Sequence, residues 1–364
     1  MFVADIKSKY IQVFKFRNNL INEAELKNGF LTGLFIIILS VFHSSCKDDV
    51  TSVSRPLLGT AVTITLVPDS INTAELFSAA FGEIEKVQRD LSIYDPDSEI
   101  SRLNRTASAV RFKTRNDIFL LIKRAVQVSG NTEGAFDITF ASTGKLWDFS
   151  HDEFIPPDDK TVKRLLPLIS YKNLELDSNN STVRFLKNGT KIGLGGIAKG
   201  YAVSKAVAVL RAGNVKGAIV ACAGDIQVIG RNHGKPWRAG IKDPRGDSVI
   251  GALDMVDGEA VSTSGDYERF RIVNGRRYHH IIDPSTGYPS DSGLISVSVF
   301  SSDPVMSDAY STAFFVLGLD KTEQVLKVIK GLSVVLVTSE MKVYVSESLR
   351  GRITFREDLD IIYF

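Results

Sequence analysis

From Gly217 to the C-terminus the chain is a succession of short strand-like runs, and this grouping restricts the fold more than any other feature. Gly217–Val220, Gln227–Ile229, Arg238–Ile241 and Val249–Val256 are rich in apolar and β-branched residues, as are 269–274, 278–282, 294–300, 333–338 and 341–346. Runs separated by short turns pair as antiparallel hairpins, because a parallel pair needs a crossover of a dozen or more residues. Helical spacing is confined to a few segments. Residues 71–90 place Leu76, Ala80, Ile84 and Val87 on one face, and Asp117–Gly130, Gly195–Leu210, 307–317 and 320–330 are further helix candidates. Thr60–Val67 is a strand, and 151–190 reads as an insertion of turns and short strands broken at Pro156-Pro157 and Asn179-Asn180. The expectation is an α+β fold, with mainly antiparallel sheets flanked by helices. No glycine-rich dinucleotide turn or Walker loop is present.

The N-terminus has a separate character. Phe30 to Phe42 (FLTGLFIIILSVF) is apolar and is followed by His-Ser-Ser-Cys46. At about 1.5 Å per residue the run is too short for a hydrocarbon core of roughly 30 Å. It suits the apolar core of a secretory signal, with Ser44 and Ser45 as small residues before a cleavage site. The pattern resembles a bacterial lipoprotein signal in which Cys46 becomes the lipidated first residue; His43 departs from it, because an aliphatic residue is usual there. The segment before the run is long for a basic leader, which points to an over-extended start. The domain expectation is a leader over 1–46, a tether over 47–56 containing the polar stretch Thr51–Pro56, and a single domain over 57–364. With Cys46 lipidated, Cys222 has no disulfide partner and no cysteine-based metal site is available. The formal net charge of +2, from 44 basic and 42 acidic side chains, gives no electrostatic case for a nucleic-acid partner.

Several segments carry candidate chemistry. Arg277 to Pro289 (RYHHIIDPSTGYP) packs a histidine pair, a carboxylate and hydroxyls into one loop. Gly193 to Tyr201 (GLGGIAKGY) opens a helix with glycines, which suits either close packing or an anion held by free N–H groups with Lys199 adding charge. Asp308 and Thr312, four apart on a predicted helix, share a face and can both meet a hard cation such as Mg²⁺; alternatively Asp308 only complements a helix N-terminus. Gly134 to Thr139 (GAFDIT) with Lys145 to Phe149 (KLWDF) is either a turn with core aromatics or the wall of a planar-ligand site in which Asp137 accepts a hydrogen bond. Leu91 to Asn104 carries Tyr94, able to stack on a ring, and Asp97 or Ser98 as the cap of a short helix. Ser264, His280 and Asp283 or Asp266 permit a nucleophile system on paper, but the GxSxG elbow is absent.

Taken in order, Leu58-Gly-Thr60, LSIYDPDSEISRLN, GAFDIT…LWDF, LGGIAKGYAV, AGDI at Ala223–Ile226, STSGDYERF, HHIIDPSTGYP and SDAYSTA resemble the ApbE family, the FAD:protein FMN transferases. The motifs run from about residue 57 to 318, most of the chain after the leader. The resemblance implies an ApbE-like, T-fold-related architecture. It also implies an enzyme that uses Mg²⁺ to cleave FAD, leaves FMN on a Thr or Ser of a target protein, and releases AMP. Under it Asp308, Thr312 and the Gly196 carbonyl hold the metal, and Tyr94, Ala135, Phe136, Asp137, Lys199 and Ile282 contact FAD. His280 is the candidate base. Leu58 stands where the family usually has Met, Ser311 where some members have an acid, and Gly193 where the family has an Asp that contacts the nucleotide. Ala141-Ser-Thr-Gly144 replaces a more apolar, Pro-containing run. The implied partner is an acceptor protein, such as a membrane redox subunit, met by an enzyme lipid-anchored in the bacterial envelope. A Mg²⁺-dependent FAD pyrophosphatase and a non-catalytic flavin-binding lipoprotein are the alternatives.

Overall fold

The computed structural model describes residues 50–68, 72–144, 146–149 and 154–364. The expected leader with Cys46, and Lys145 of the KLWDF segment, lie outside the described residues. The described chain starts with strands β1 (Thr51–Leu57) and β2 (Thr60–Leu66), followed by helices α1 (Thr73–Leu91) and α2 (Glu99–Thr106). Strand β3 (Phe112–Lys113), helix α3 (Asn116–Asn131), helix α4 (Asp159–Leu165) and the hairpin β4 (Leu174–Asp177)–β5 (Thr182–Phe185) come next. Helix α5 (Ala198–Ala212) leads into β6 (Gly217–Cys222), β7 (Asp225–Gly230), β8 (Trp237–Lys242), β9 (Val249–Met255) and β10 (Ala260–Gly265). Then come β11 (Phe270–Val273), β12 (Arg276–His279), β13 (Leu294–Ser301), helix α6 (Pro304–Val328), β14 (Ser333–Thr338), β15 (Val343–Val345), β16 (Ile353–Phe355) and β17 (Ile361–Tyr363).

The main sheet has nine strands in the order β1-β2-β6-β7-β10-β13-β14-β15-β17, antiparallel except for the parallel β15–β17 pair. Both of its faces are covered. Because side chains alternate along a strand, Val334 and Leu336 of β14 join one core with α1, α5 and α6, while Val335 and Val337 join a second core with β8, β9 and β16. That two-sided burial explains why β13 (LISVSVFS) is buried along almost its whole length.

Three expectations meet the structure here, and two of them change. Thr51–Pro56 is not a tether but part of an edge strand, paired with β2 from Thr51↔Leu66 to Leu57↔Thr60. Its polar sequence misled because an edge strand keeps one face in water; Ser52 and Ser54 pair there with Thr65 and Thr63, each at 2.7 Å. The β1–β2 turn is Leu58–Gly59 with φ of 53° and 70°, the left-handed pair that a two-residue hairpin needs, and Gln88 Oε1 accepts the Leu58 N–H at 2.6 Å. Second, and as expected, two helices meet around Gly318; they follow one another in the stretch labelled α6, separated by a break where Gly318 takes φ 76°. Third, β10, absent from the expected strands, is an internal strand of the main sheet. Its small, polar residues hide strand propensity, yet Thr263 Oγ1 meets Ser298 Oγ on β13 at 2.8 Å.

Candidate active site

The site forms where α5 crosses α6. Gly200 on α5 lies against the first turns of α6: a Cβ there would come within 2.1 Å of the Pro304 carbonyl oxygen and 2.8 Å of the Asp308 Cβ. Glycine is required for this approach, and it lets the Gly200 N–H donate to Asp308 Oδ2 at 2.8 Å. Gly200→Ala is therefore expected to cost about 3 kcal/mol of stability through overpacking, read as a lower urea midpoint. One residue earlier, the Lys199 ammonium is held by two carboxylates, Asp225 Oδ2 at 2.5 Å and Asp308 Oδ1 at 3.2 Å. Burial alone would lower the Lys199 pKa, but the two carboxylates outweigh it and raise it above the usual lysine value. Burial, then the nearby Asp308 charge, pushes the Asp225 carboxyl up, against the pull of Lys199. Asp225 comes from the tip of the β6–β7 hairpin, whose turn residue Ala223 has φ 53°. The sequence displayed it only as part of AGDI; nothing local ties it to residues 199 and 308.

Beside this cluster, Ser264 Oγ of β10 meets Ser311 Oγ at 2.8 Å and Thr312 Oγ1 at 3.3 Å, and Ser311 Oγ donates to the Asp308 carbonyl at 2.8 Å. Gly196 abuts the same hydroxyls: a Cβ on it would stand 3.6 Å from Thr312 Oγ1 and 3.0 Å from the Phe136 ring. Asp308, Thr312, Gly196 and Lys199 are thus brought together. Among the described residues no three His, Cys, Asp or Glu side chains gather as a metal site, so a cation here would also need the hydroxyl and a backbone carbonyl. That all-oxygen set fits a hard cation, and the Asp225 Oδ1 atom, buried without a hydrogen-bond partner, leaves acceptor capacity in the cluster.

The two histidines separate because adjacent strand residues point to opposite faces. His279 is buried, edge-on to Phe315 at 5.4 Å between centroids. Its Nδ1 accepts the Ile281 N–H at 3.3 Å, so Nε2 carries the proton and donates to the Ser290 carbonyl at 3.0 Å. Burial holds it below the ordinary histidine value. His280 faces outward with its side chain open to solvent on one side. The protein mass around the rest of the ring, then the Arg269 charge and the His279 ring, push its pKa down to about 4. It is neutral at pH 7. Asp283 is spent on its own turn, accepting from the Ser285 N–H at 2.8 Å and Ser285 Oγ at 2.7 Å, and Asp266 is taken by Arg245 at 2.7 Å. With Ser264 bonded to Ser311 and Thr312, no Ser/His/Asp nucleophile system is assembled.

Of the residues expected to meet a flavin, Phe136 adjoins Gly196, and Ile93, next to Tyr94, adjoins Gly193. Tyr94 is 84% exposed, so its ring is available for stacking. Asp137 is buried and caps the 3₁₀ turn Ile138–Thr143; it accepts from the Thr139 N–H and Oγ1 at 2.8 and 2.6 Å and from the Tyr171 N–H at 2.5 Å. Burial pushes its carboxyl up against those hydrogen bonds. Phe136 is buried against Gly196, Ala135 is half-buried, and Ile282 pairs with Pro289 in an isolated bridge that closes the histidine loop. Gly193 is buried, and a Cβ there would stand 3.0 Å from the Ala141 Cβ. The two departures from the family pattern, at 193 and 141–144, are therefore in contact, and the space an Asp side chain would leave by is closed by Ala141. Ser98, not Asp97, caps α2, accepting the Ser101 N–H at 3.0 Å.

Comparison with known proteins agrees with this arrangement. The ApbE family model matches residues 58–336. A protein from Treponema pallidum named FAD:protein FMN transferase is 31% identical over 288 residues, 75% of this chain and 80% of that protein. One of the same name from Klebsiella pneumoniae is 29% identical over 303 residues, covering 83% and 93%. Among solved structures, the ApbE protein of Thermotoga maritima superposes with a TM-score of 0.78 at 34% identity, covering 85% of this chain and all of that one. The flavin transferase ApbE of Vibrio cholerae gives 0.75 at 27%, covering 83% and 98%. On the extent of the family match and this identity, the chain belongs to the ApbE family.

Proposed function

We propose that this chain is an FAD:protein FMN transferase, moving FMN from FAD to a Thr or Ser hydroxyl of an acceptor protein with release of AMP. The observation that carries the reading is a neutral, solvent-facing His280 within reach of the Lys199 charge, the same Lys199 that joins Asp225 to Asp308, in a chain of this family. Phosphoryl transfer asks mainly for positioning and neutralisation of charge, which is what such a site offers. Asp308, Thr312 and the Gly196 carbonyl would hold Mg²⁺, and Lys199 ties Asp308 to Asp225. The ion, when bound, supplies neutralisation of the pyrophosphate charge. His280 takes the proton of the acceptor hydroxyl as that oxygen attacks the FMN phosphorus. A base at about 4 is weak for this task, and the negative phosphates arriving beside it raise its pKa toward the working range. Tyr94 stacks on the isoalloxazine ring.

The test is incubation of the protein with FAD, Mg²⁺ and a candidate acceptor, following AMP release and the mass of the acceptor. Covalent flavin on the acceptor supports the reading. AMP and free FMN without a flavinylated acceptor would make the chain an FAD pyrophosphatase, and FAD binding without AMP a flavin-binding protein. The same reading places the enzyme in the bacterial envelope, anchored by lipid on Cys46 and facing an acceptor such as a membrane redox subunit. Cys46→Ser is expected to move the protein from the membrane to the soluble fraction; a variant still sedimenting with membranes would refute the anchor.

A further inference from the structure

We propose that Arg269 is the cation that grips the phosphates of the substrate, an assignment that rests on the transferase reading above. Its position follows from strand register. Phe270 of β11 pairs with His279 of β12, and the ladder continues one step outward, where the His280 N–H donates to the Arg269 carbonyl at 3.1 Å. Residues opposite each other in an antiparallel pair share a face, with Cβ atoms about 4.5–5.5 Å apart. Arg269 therefore lies on the same face as His280, while His279 on the other face is buried. The guanidinium extends to the β1–β2 turn: Nη2 is 3.2 Å from where a Cβ on Gly59 would stand. It lies against the Leu58–Gly59 turn, and its charge acts on the imidazole.

Charge supplies the second observation. Lys199, the other cation that acts on His280, is already shared by Asp225 and Asp308, two carboxylates against one ammonium. On the neighbouring loop Arg245 is paired with Asp266, and Arg277 lies 3.8 Å from the same carboxylate and 3.9 Å over the Phe270 ring. Arg269 has no ion-pair partner and no side-chain hydrogen bond among the described residues. A pyrophosphate carries about two negative charges that Lys199 cannot balance, and an unpaired guanidinium with forked N–H donors matches phosphate oxygens well. In the transfer step the acceptor oxygen forms a bond to the FMN phosphorus as the bond from that phosphorus to the bridging oxygen breaks. The electron pair leaves on AMP and the hydroxyl proton goes to His280. Arg269 stabilises the charge that gathers on the phosphate oxygens during this exchange.

The experiment compares wild type, Arg269→Ala and Arg269→Lys for equilibrium binding of ADP, FAD and riboflavin in the presence of Mg²⁺, alongside the kinetics of transfer. Arg269→Ala is expected to weaken ADP and FAD about 10- to 100-fold, the usual scale for a charged hydrogen-bonding group, and to leave riboflavin unchanged. Arg269→Lys should recover part of the ADP affinity, because a point charge remains without the fork. Unchanged ADP binding in Arg269→Ala, or an equal loss for riboflavin, overturns the assignment. Binding is measured without an acceptor, so a wild type that grips ADP through Arg269 yet flavinylates nothing would overturn the transferase reading alone.

Discussion

His280→Ala is expected to lower the rate of FMN transfer by about 10²- to 10⁴-fold, the range for losing a positioned general base, with FAD affinity changed far less. The structure makes this replacement a clean one. The His280 side chain is open to solvent and makes no hydrogen bond to another side chain among the described residues, and its backbone N–H bond to Arg269 survives truncation. His279→Ala is the contrasting control: it removes a buried ring bonded to Ser290 and Ile281, so stability falls first and activity follows. The pH profile adds a sign. A folded pKa of about 4 means that His280 is unprotonated across the neutral range, so kcat/KM, which reports the free enzyme, should keep its activity well below pH 6.5 and lose it only as pH falls toward 4. Bound phosphates raise the imidazole pKa, so the acid limb of kcat should lie at higher pH than that of kcat/KM. Coincident limbs near the ordinary histidine value, or transfer retained in His280→Ala, would remove His280 from the role of base.

Asp308→Asn is expected to reduce Mg²⁺-dependent turnover by about 10²- to 10³-fold, the scale for losing one preorganised electrostatic group. Asn is the informative replacement because its carbonyl oxygen can still accept the Gly200 N–H that Asp308 Oδ2 accepts at 2.8 Å, which keeps the α5–α6 crossing together. What is lost is the charge. Lys199 is then shared with Asp225 alone, and the site becomes less attractive to a cation. Calorimetric titration of Mg²⁺ should show the weakened affinity directly, without reference to turnover. Wild-type activity and Mg²⁺ binding in Asp308→Asn would refute the metal assignment.

Much of this site was legible before folding because its signals are local. Asp308 and Thr312 share a helix face by spacing alone, and Gly196 and Lys199 lie next to each other at one helix start. The hairpin-rich second half announced antiparallel sheets for the same reason: turn residues and strand propensity act over a few positions. What sequence reasoning lacked were partners distant in the chain. Asp225 joins Lys199 and Asp308 only because a hairpin tip folds back over α5. The polar run 51–56 does not betray its strand, because an edge strand and a tether share one composition when only one face is buried.

By itself, then, the sequence determined the α+β class, the order of the helices and most strands, and the candidate residues at each motif, all consequences of short-range periodicity and turn chemistry. Tertiary structure alone decided which of two adjacent histidines is buried and which faces solvent. It also decided that Gly200 lets α5 close onto Asp308 and that Gly193 lies against Ala141. These outcomes depend on strand register and on helix packing at contact distance, and both are fixed by the summed burial of residues far apart in the chain.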